Sequence, residues 1–237
     1  TRSETRAELD RGITEATSES IIRGPKDSFT ESHSKNLGLI RKRIKDPNLW
    51  FEEINLGRRT KTRTTIAYIN GIADRQKIKE IKKRLKSIDI DGILDSGNIR
   101  DYLTTQKSIF PQIKSSERPD MACQELLNGK IIVLVENTPF ILILPTIFLD
   151  YIKSPEDQNQ KSINISFTRI LRFLALIITI LPPAIYIAVA TYDQNTIPDK
   201  LLISLAVQRE CVPFPTFFEI ILFMTVFEIL RESDLKR

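Results

Sequence analysis

Two carboxylates interrupt an otherwise apolar run: Glu219 and Glu228, within Phe217–Leu230. Ionisable groups at membrane depth are costly and turn toward a bundle interior or water. Each is therefore a candidate for lining a pore or cavity that attracts cations. The nine positions from 219 to 228 turn a helix by about 900°, so the two point to opposite faces and cannot form one paired site on one helix. Glu228 also stands three residues before Arg231, the spacing of an ordinary interfacial ion pair. A second group is basic: Arg58, Arg59, Lys61 and Arg63, with a lysine-rich stretch at 75–86. Such a patch attracts nucleic acid or anionic lipid. No stacking aromatics interleave it, so a solvated face is the better reading and nucleic acid is not an expected partner.

The remaining chemistry is sparse. Cys123 and Cys211 stand far apart and His33 is the single histidine, which leaves no metal set and no disulfide framework. His33 falls in a polar stretch and is expected at the surface. Gly92–Gly97 is not followed by the Lys-Ser/Thr of a phosphate loop. No nucleophile, base and orienting group occur as a set. Catalytic residues, cofactor and metal are all expected to be absent, and the chain is not read as an enzyme.

The elements that position these groups follow from periodicity. Leu37, Ile40 and Ile44 recur at helical spacing within 30–45, and Asp46-Pro47 ends that helix. Residues 49–56 and 62–69 read as a hairpin joined by Gly57–Lys61. Asp74 is the candidate N-cap of a helix over 75–87 with Ile78, Ile81 and Leu85 on one face. Short helices are expected at 99–103 and 120–127, and strands at 130–135 and 140–144. The alternation predicts an α/β soluble domain, favoured as two small subdomains with a boundary near 90–117. Strands 130–135 and 140–144 should form its core with the helix at 28–45.

Residues 173–192 are uncharged, long enough for one crossing of a bilayer. Pro182 and Pro183 lie in the middle and are expected to break the helix there. The freed carbonyls then need protein or water, which predicts a bundle rather than a lone span. Lys153, Lys161, Arg169 and Arg172 precede the span, while Lys200 and Arg209 after it are offset by Asp193 and Asp199. The excess of basic residues places the N-terminal side in the cytoplasm. Ile147–Ile152 is a short apolar stretch suited to the interface or to docking on the bundle. Phe217–Leu230 is short for a span, about 21 Å as a helix, and is expected to be re-entrant or to face a polar cavity. Expected divisions are a polar segment at 1–20, a soluble domain at 21–153 and a linker at 154–169. A transmembrane helix at 170–192, a loop with a short amphipathic helix at 193–215 and a membrane-associated helix at 216–232 follow. The first residue is Thr and the chain stops just after an apolar helix, so it is read as a piece of a longer protein.

Several blocks carry a resemblance: Ile22-Arg23-Gly24-Pro25-Lys26-Asp27-Ser28-Phe29-Thr30-Glu31, Arg41–Trp50, Leu56–Thr62, Ile88–Gly97, Phe110-Pro111-Gln112, Glu117-Arg118-Pro119-Asp120, Ser154–Asp157, Arg209–Pro215 and Phe227–Glu232. In this order they resemble the GerA family, the A subunits of spore germinant receptors. Cys211 departs from the small residue the family pattern leads one to expect. The resemblance implies a subunit in the spore inner membrane with B and C subunits, in contact with lipid, that responds to nutrient. It implies a soluble domain of two α/β subdomains followed by several membrane helices, and oligomerisation of A subunits into a nutrient-gated ion channel. Arg23, Lys26, Arg58, Arg59 and Lys61 then become candidates for subunit contacts. The alternatives are a membrane-tethered domain that binds a small molecule and a scaffold for partner subunits.

Overall fold

The computed structural model describes residues 24–104, 111–153, 162–191 and 214–235, together with 12, 19, 203 and 207. The chain divides into two compact units, Thr1–Ile165 and Ser166–Arg237. In the first, β1 (Leu49–Leu56) and β2 (Thr62–Ile69) form the expected hairpin, with Leu49 opposite Ile69 and Leu56 opposite Thr62. β3 (Lys114–Ser116), β4 (Ile131–Val135) and β5 (Ile141–Leu144) complete one five-stranded sheet in the order β1-β2-β4-β5-β3. All four pairings are antiparallel.

Helices cover both faces, and strand alternation assigns each residue its side. Ala67, Ile69, Ile132, Leu134, Ile141 and Ile143 pack with Leu39, Ile40 and Ile44 from α1 (His33–Arg43) and its C-cap, and with Ala122 and Leu126 of α4 (Pro119–Leu127). Ile66, Tyr68, Ile131, Val133, Val135, Leu142 and Leu144 pack with Ile78, Ile81 and Leu85 of α2 (Arg75–Lys86) and with Ile99 and Leu103 of α3 (Ser96–Leu103). Strands buried on both faces read as continuous apolar runs, which is why β4 and β5 are wholly buried while edge strand β1 exposes Trp50, Glu53 and Asn55.

Local caps set the boundaries. Asp74 accepts a hydrogen bond from the Gln76 amide at 2.8 Å and starts α2. At the end of α4, Gly129 takes a φ of +82°, its amide donates to Leu126 O, and the Lys130 amide donates to Glu125 O, both at 3.0 Å. That double bond pattern returns the chain into β4 and needs a residue free to adopt the left-handed region.

Three expectations for the first unit are revised. No subdomain boundary at 90–117 divides the sheet, because β2 before it pairs with β4 after it, Thr64 opposite Val135 and Ala67 opposite Ile132. α1 starts at His33 rather than near 30: the Asn36 side chain accepts from the Thr30 amide and donates to the Thr30 carbonyl, holding 30–32 extended. His33 is buried, with Nε2 2.8 Å from Thr65 Oγ1. Burial lowers its pKa, outweighing the opposing pull of Glu136 and Glu53.

In the second unit and its lead-in, α6 runs from Ser162 to Thr191 and includes Ile165–Val189, 25 residues long and apolar enough to cross a membrane, with none of its most apolar stretch buried. It starts inside the expected 154–169 linker, so residues 162–169 are helical rather than connecting chain. Pro182 and Pro183 do not end it: the helix continues through both. α7 (Thr216–Leu235) is longer than the expected 217–230 and, at about 30 Å, reaches past Arg231 to Leu235. Most of 193–213, including the expected amphipathic helix, lies outside the described residues.

Two outcomes test this account. Residues 1–153 should fold cooperatively by circular dichroism, and Ile40→Ala should cost them about 2–5 kcal/mol in urea unfolding; a non-cooperative melt would contradict it. His33 has a folded pKa below its unfolded one, so its contribution is complete above the unfolded value and is lost as pH falls toward the folded value. Unfolding measured at successive pH values should show stability dropping as pH passes below about 6.5, and His33→Asn should flatten that part of the curve.

Candidate functional site

The sequence motifs meet in pairs. Arg118 is almost fully buried at the start of α4 and donates to the Pro25 carbonyl at 2.8 Å and to Asp120 Oδ2 at 2.7 Å. The Phe29 amide donates to the Glu117 carbonyl at 2.8 Å, and Ser116 Oγ donates to a Glu19 carboxylate oxygen at 2.6 Å. Glu19 has a raised pKa, because its burial outweighs the Ser116 hydrogen bond. Asp27 accepts two bonds from Arg43 on α1, the closer at 2.5 Å. The Gly-Pro-Lys-Asp stretch is thus stitched to the Glu-Arg-Pro-Asp stretch, and together they tie the N-terminal segment to α1 and α4.

The basic hairpin is held the same way. The Arg58 and Arg59 amides donate to the carbonyls of Ile90 and Asp91 at 2.9 and 2.8 Å, and the Arg58 guanidinium pairs with Asp89. Thr62 Oγ1 donates to the Ile93 carbonyl at 2.8 Å, and the Ile93 amide donates to Thr60 Oγ1 at 3.1 Å. Gly57 has a φ of +86°, and a Cβ there would stand 2.5 Å from Thr60 Oγ1, so the turn admits no larger residue without moving. Arg59 and Lys61 keep exposed side chains, as does Lys26. Arg23 and Cys211 lie outside the described residues. The lysine-rich helix is partly neutralised: Lys82 bonds Glu52 at 2.6 Å and Arg84 bonds Glu80 at 2.6 Å.

A third cluster had no sequence signal. Asp150, on α5 (Phe148–Ile152), is 2% exposed and accepts from Lys130 and Lys153 at 2.7 Å each and from the Ile147 amide at 3.0 Å. Lys130 also pairs with the buried Glu125 at 2.8 Å. Burial opposes ionisation of Asp150, but the two lysines prevail and hold its carboxyl at about 2. Only contacts across 20 residues of sequence reveal it.

In the second unit, Glu219 and Glu228 share the continuous helix α7 and, nine positions apart, sit on opposite sides of it. Glu228 accepts from Arg231 at 2.6 Å, the local ion pair its spacing allowed. Pro182 and Pro183 have no amide hydrogen, so the carbonyls four residues earlier, of Ile178 and Thr179, lose their helical donors. Burial pushes the Cys123 thiol up to about 11, an inert core residue. Among the described residues no group of His, Cys, Asp and Glu could hold a metal ion.

Contacts of unequal depth give unequal predictions. Removing one partner of a buried charge pair leaves the other uncompensated, so Arg118→Met should cost about 3–5 kcal/mol in unfolding free energy. Arg58→Ala, at an exposed pair, should leave the thermal midpoint of the same protein within error. Equal midpoints for the two variants would show that the Arg118 contacts do not hold the N-terminal segment.

The family model described as Bacillus/Clostridium GerA spore germination protein matches residues 2–236. Spore germination protein KA of Bacillus subtilis (strain 168) is 41% identical over 227 residues, 95% of this chain and 42% of that protein. Spore germination protein B1 of the same organism is 40% identical over 234 residues, 98% of this chain and 48% of that protein. The chain therefore spans less than half the length of these relatives. The crystal structure of the N-terminal domain of the A subunit of the Bacillus megaterium spore germinant receptor GerK3 is 48% identical, with a TM-score of 0.42 over 51% of this chain and 97% of that one. With a family match across nearly its whole length, this chain belongs to the GerA family of spore germination proteins.

Proposed function

We propose that this chain is the N-terminal part of the A subunit of a nutrient-responsive germinant receptor in the spore inner membrane. In that reading it works with B and C subunits, assembles with further A subunits, and couples nutrient sensing to ion release. The observation that carries the reading is the family match over residues 2–236, joined to a chain order in which a folded α-β-α unit leads into a helix able to cross a bilayer. Lys153, Lys161, Arg169 and Arg172, ahead of the uncharged stretch 173–192, support a cytoplasmic first unit. Glu219 is the better candidate for lining an ion path, because Glu228 is already engaged by Arg231. Arg59 and Lys61, exposed on a turn held rigidly by its backbone, suit contacts with other subunits, and Lys26 is exposed as well.

A tethered small-molecule-binding domain is the second reading, favoured by a cavity of about 130 Å³ between α2, α3 and the end of β5, lined by Lys77, Glu80, Arg84, Gln112 and Leu144. Ligand pockets run from about 300 Å³ upward, so this one suits a few waters better than a sugar or amino acid. Calorimetry with nutrients on the isolated first unit separates the readings: micromolar binding there would favour the tethered binder.

For the receptor reading, Glu219→Gln keeps shape and removes charge. Spores carrying it should release ions more slowly at saturating nutrient, with normal receptor levels, and Glu228→Gln should have the smaller effect. Unchanged release in Glu219→Gln spores would refute the pore-lining role.

A further inference from the structure

α5 is inside out. Its acidic residue, Asp150, is 2% exposed, while Ile147, Phe148, Leu149 and Tyr151 around it are 59%, 45%, 57% and 41% exposed. A surface helix of a protein bathed only in water turns its apolar side inward. Here the clamp on Asp150 by Lys130, Lys153 and the Ile147 amide holds the reverse orientation in place. Tyr151 anchors the other end, its hydroxyl donating to the Ile113 carbonyl at 2.9 Å. Four neighbouring large apolar side chains held outward make an interaction surface.

We infer that this surface rests in the lipid interface of the membrane that α6 crosses. The inference builds on the reading of α6 as a span. Three observations choose lipid over a protein partner. Only eight residues, 154–161, separate Lys153 from α6 in sequence, a chain reach of at most about 30 Å. The patch mixes branched aliphatics with Phe148 and Tyr151, the ring types that occupy the headgroup boundary. Between 153 and 172 the chain carries four basic residues, Lys153, Lys161, Arg169 and Arg172, against Glu156 and Asp157, which favours an anionic leaflet.

The test uses the whole chain with Cys211→Ser, which leaves Cys123 shielded by burial. Single cysteines replace Leu149, Leu94 or Ile178, each labelled with an environment-sensitive fluorophore. The proteins are reconstituted in phosphatidylcholine–phosphatidylglycerol vesicles containing lipids with nitroxides at shallow or deep acyl positions. Leu94, 76% exposed elsewhere on the first unit, reports water, and Ile178 reports the span itself. The expected result is blue-shifted emission at 149 with shallow-nitroxide quenching roughly twofold or more above that at 94, and deep quenching at 178. Deep quenching at 178 with 149 no different from 94 overturns this inference and leaves the span intact. A probe at 149 shielded from water but not quenched by nitroxide lipid also overturns it, in favour of a protein partner. No quenching at 178 removes the span, and this inference with it.

Discussion

The pairing of β2 with β4 is the constraint on which the first unit depends. Residues 64–67 hydrogen-bond to 132–135 across more than sixty intervening positions, and that contact joins the two hairpins into one sheet. Once it forms, alternation along both strands fixes which side chains look up and which look down, and each helix has one face to cover. α1 and α4 close one side, and α2 and α3 the other. A shift of one residue in this pairing would exchange the two apolar sets and leave neither helix pair a matching surface.

The blocks that carry the family resemblance behave as two clasps around this sheet. One joins Pro25, Asp27 and Phe29 to Glu117, Arg118 and Arg43. The other joins Arg58, Thr60 and Thr62 to Asp89, Ile90 and Ile93. Their charges serve local geometry first, while the side chains of Arg59, Lys61 and Lys26 are exposed. A strongly basic segment read alone looks like a solvated face, while Asp89 beside Arg58 and Glu136 beside Arg63 tie it into the fold.

Legibility tracked sequence range. The β1–β2 hairpin and the Asp74 cap were readable because alternation and capping are local, and β4 and β5 because apolar runs between turn residues have few other meanings. β3 was not readable: Lys114-Ser115-Ser116 has no apolar signal and is a strand only because β5 offers it a backbone edge. His33 looked exposed because its neighbours in sequence are polar, whereas Thr65, which sits against its ring, lies on another element. The single sheet was hidden for the same reason, since the short elements between 90 and 117 look like a boundary until β2 and β4 are seen side by side. Of the candidate site, the positions of Glu219 and Glu228 on one helix were legible; the Asp150 clamp was not.

The two prolines of α6 have a mechanical meaning. A helix resists bending through its ladder of amide-to-carbonyl bonds, and at Pro182 and Pro183 two consecutive rungs are missing while the helix stays continuous. Bending therefore concentrates there, as helix kinks generally do at proline. The helix acts as two stiff rods of unequal length, about 24 Å from Ser162 to Ile177 and about 12 Å from Ala184 to Thr191, joined by a compliant collar where the two bonds are missing. A force on the short rod changes its angle before it displaces the long one, so the two ends of this helix need not move together.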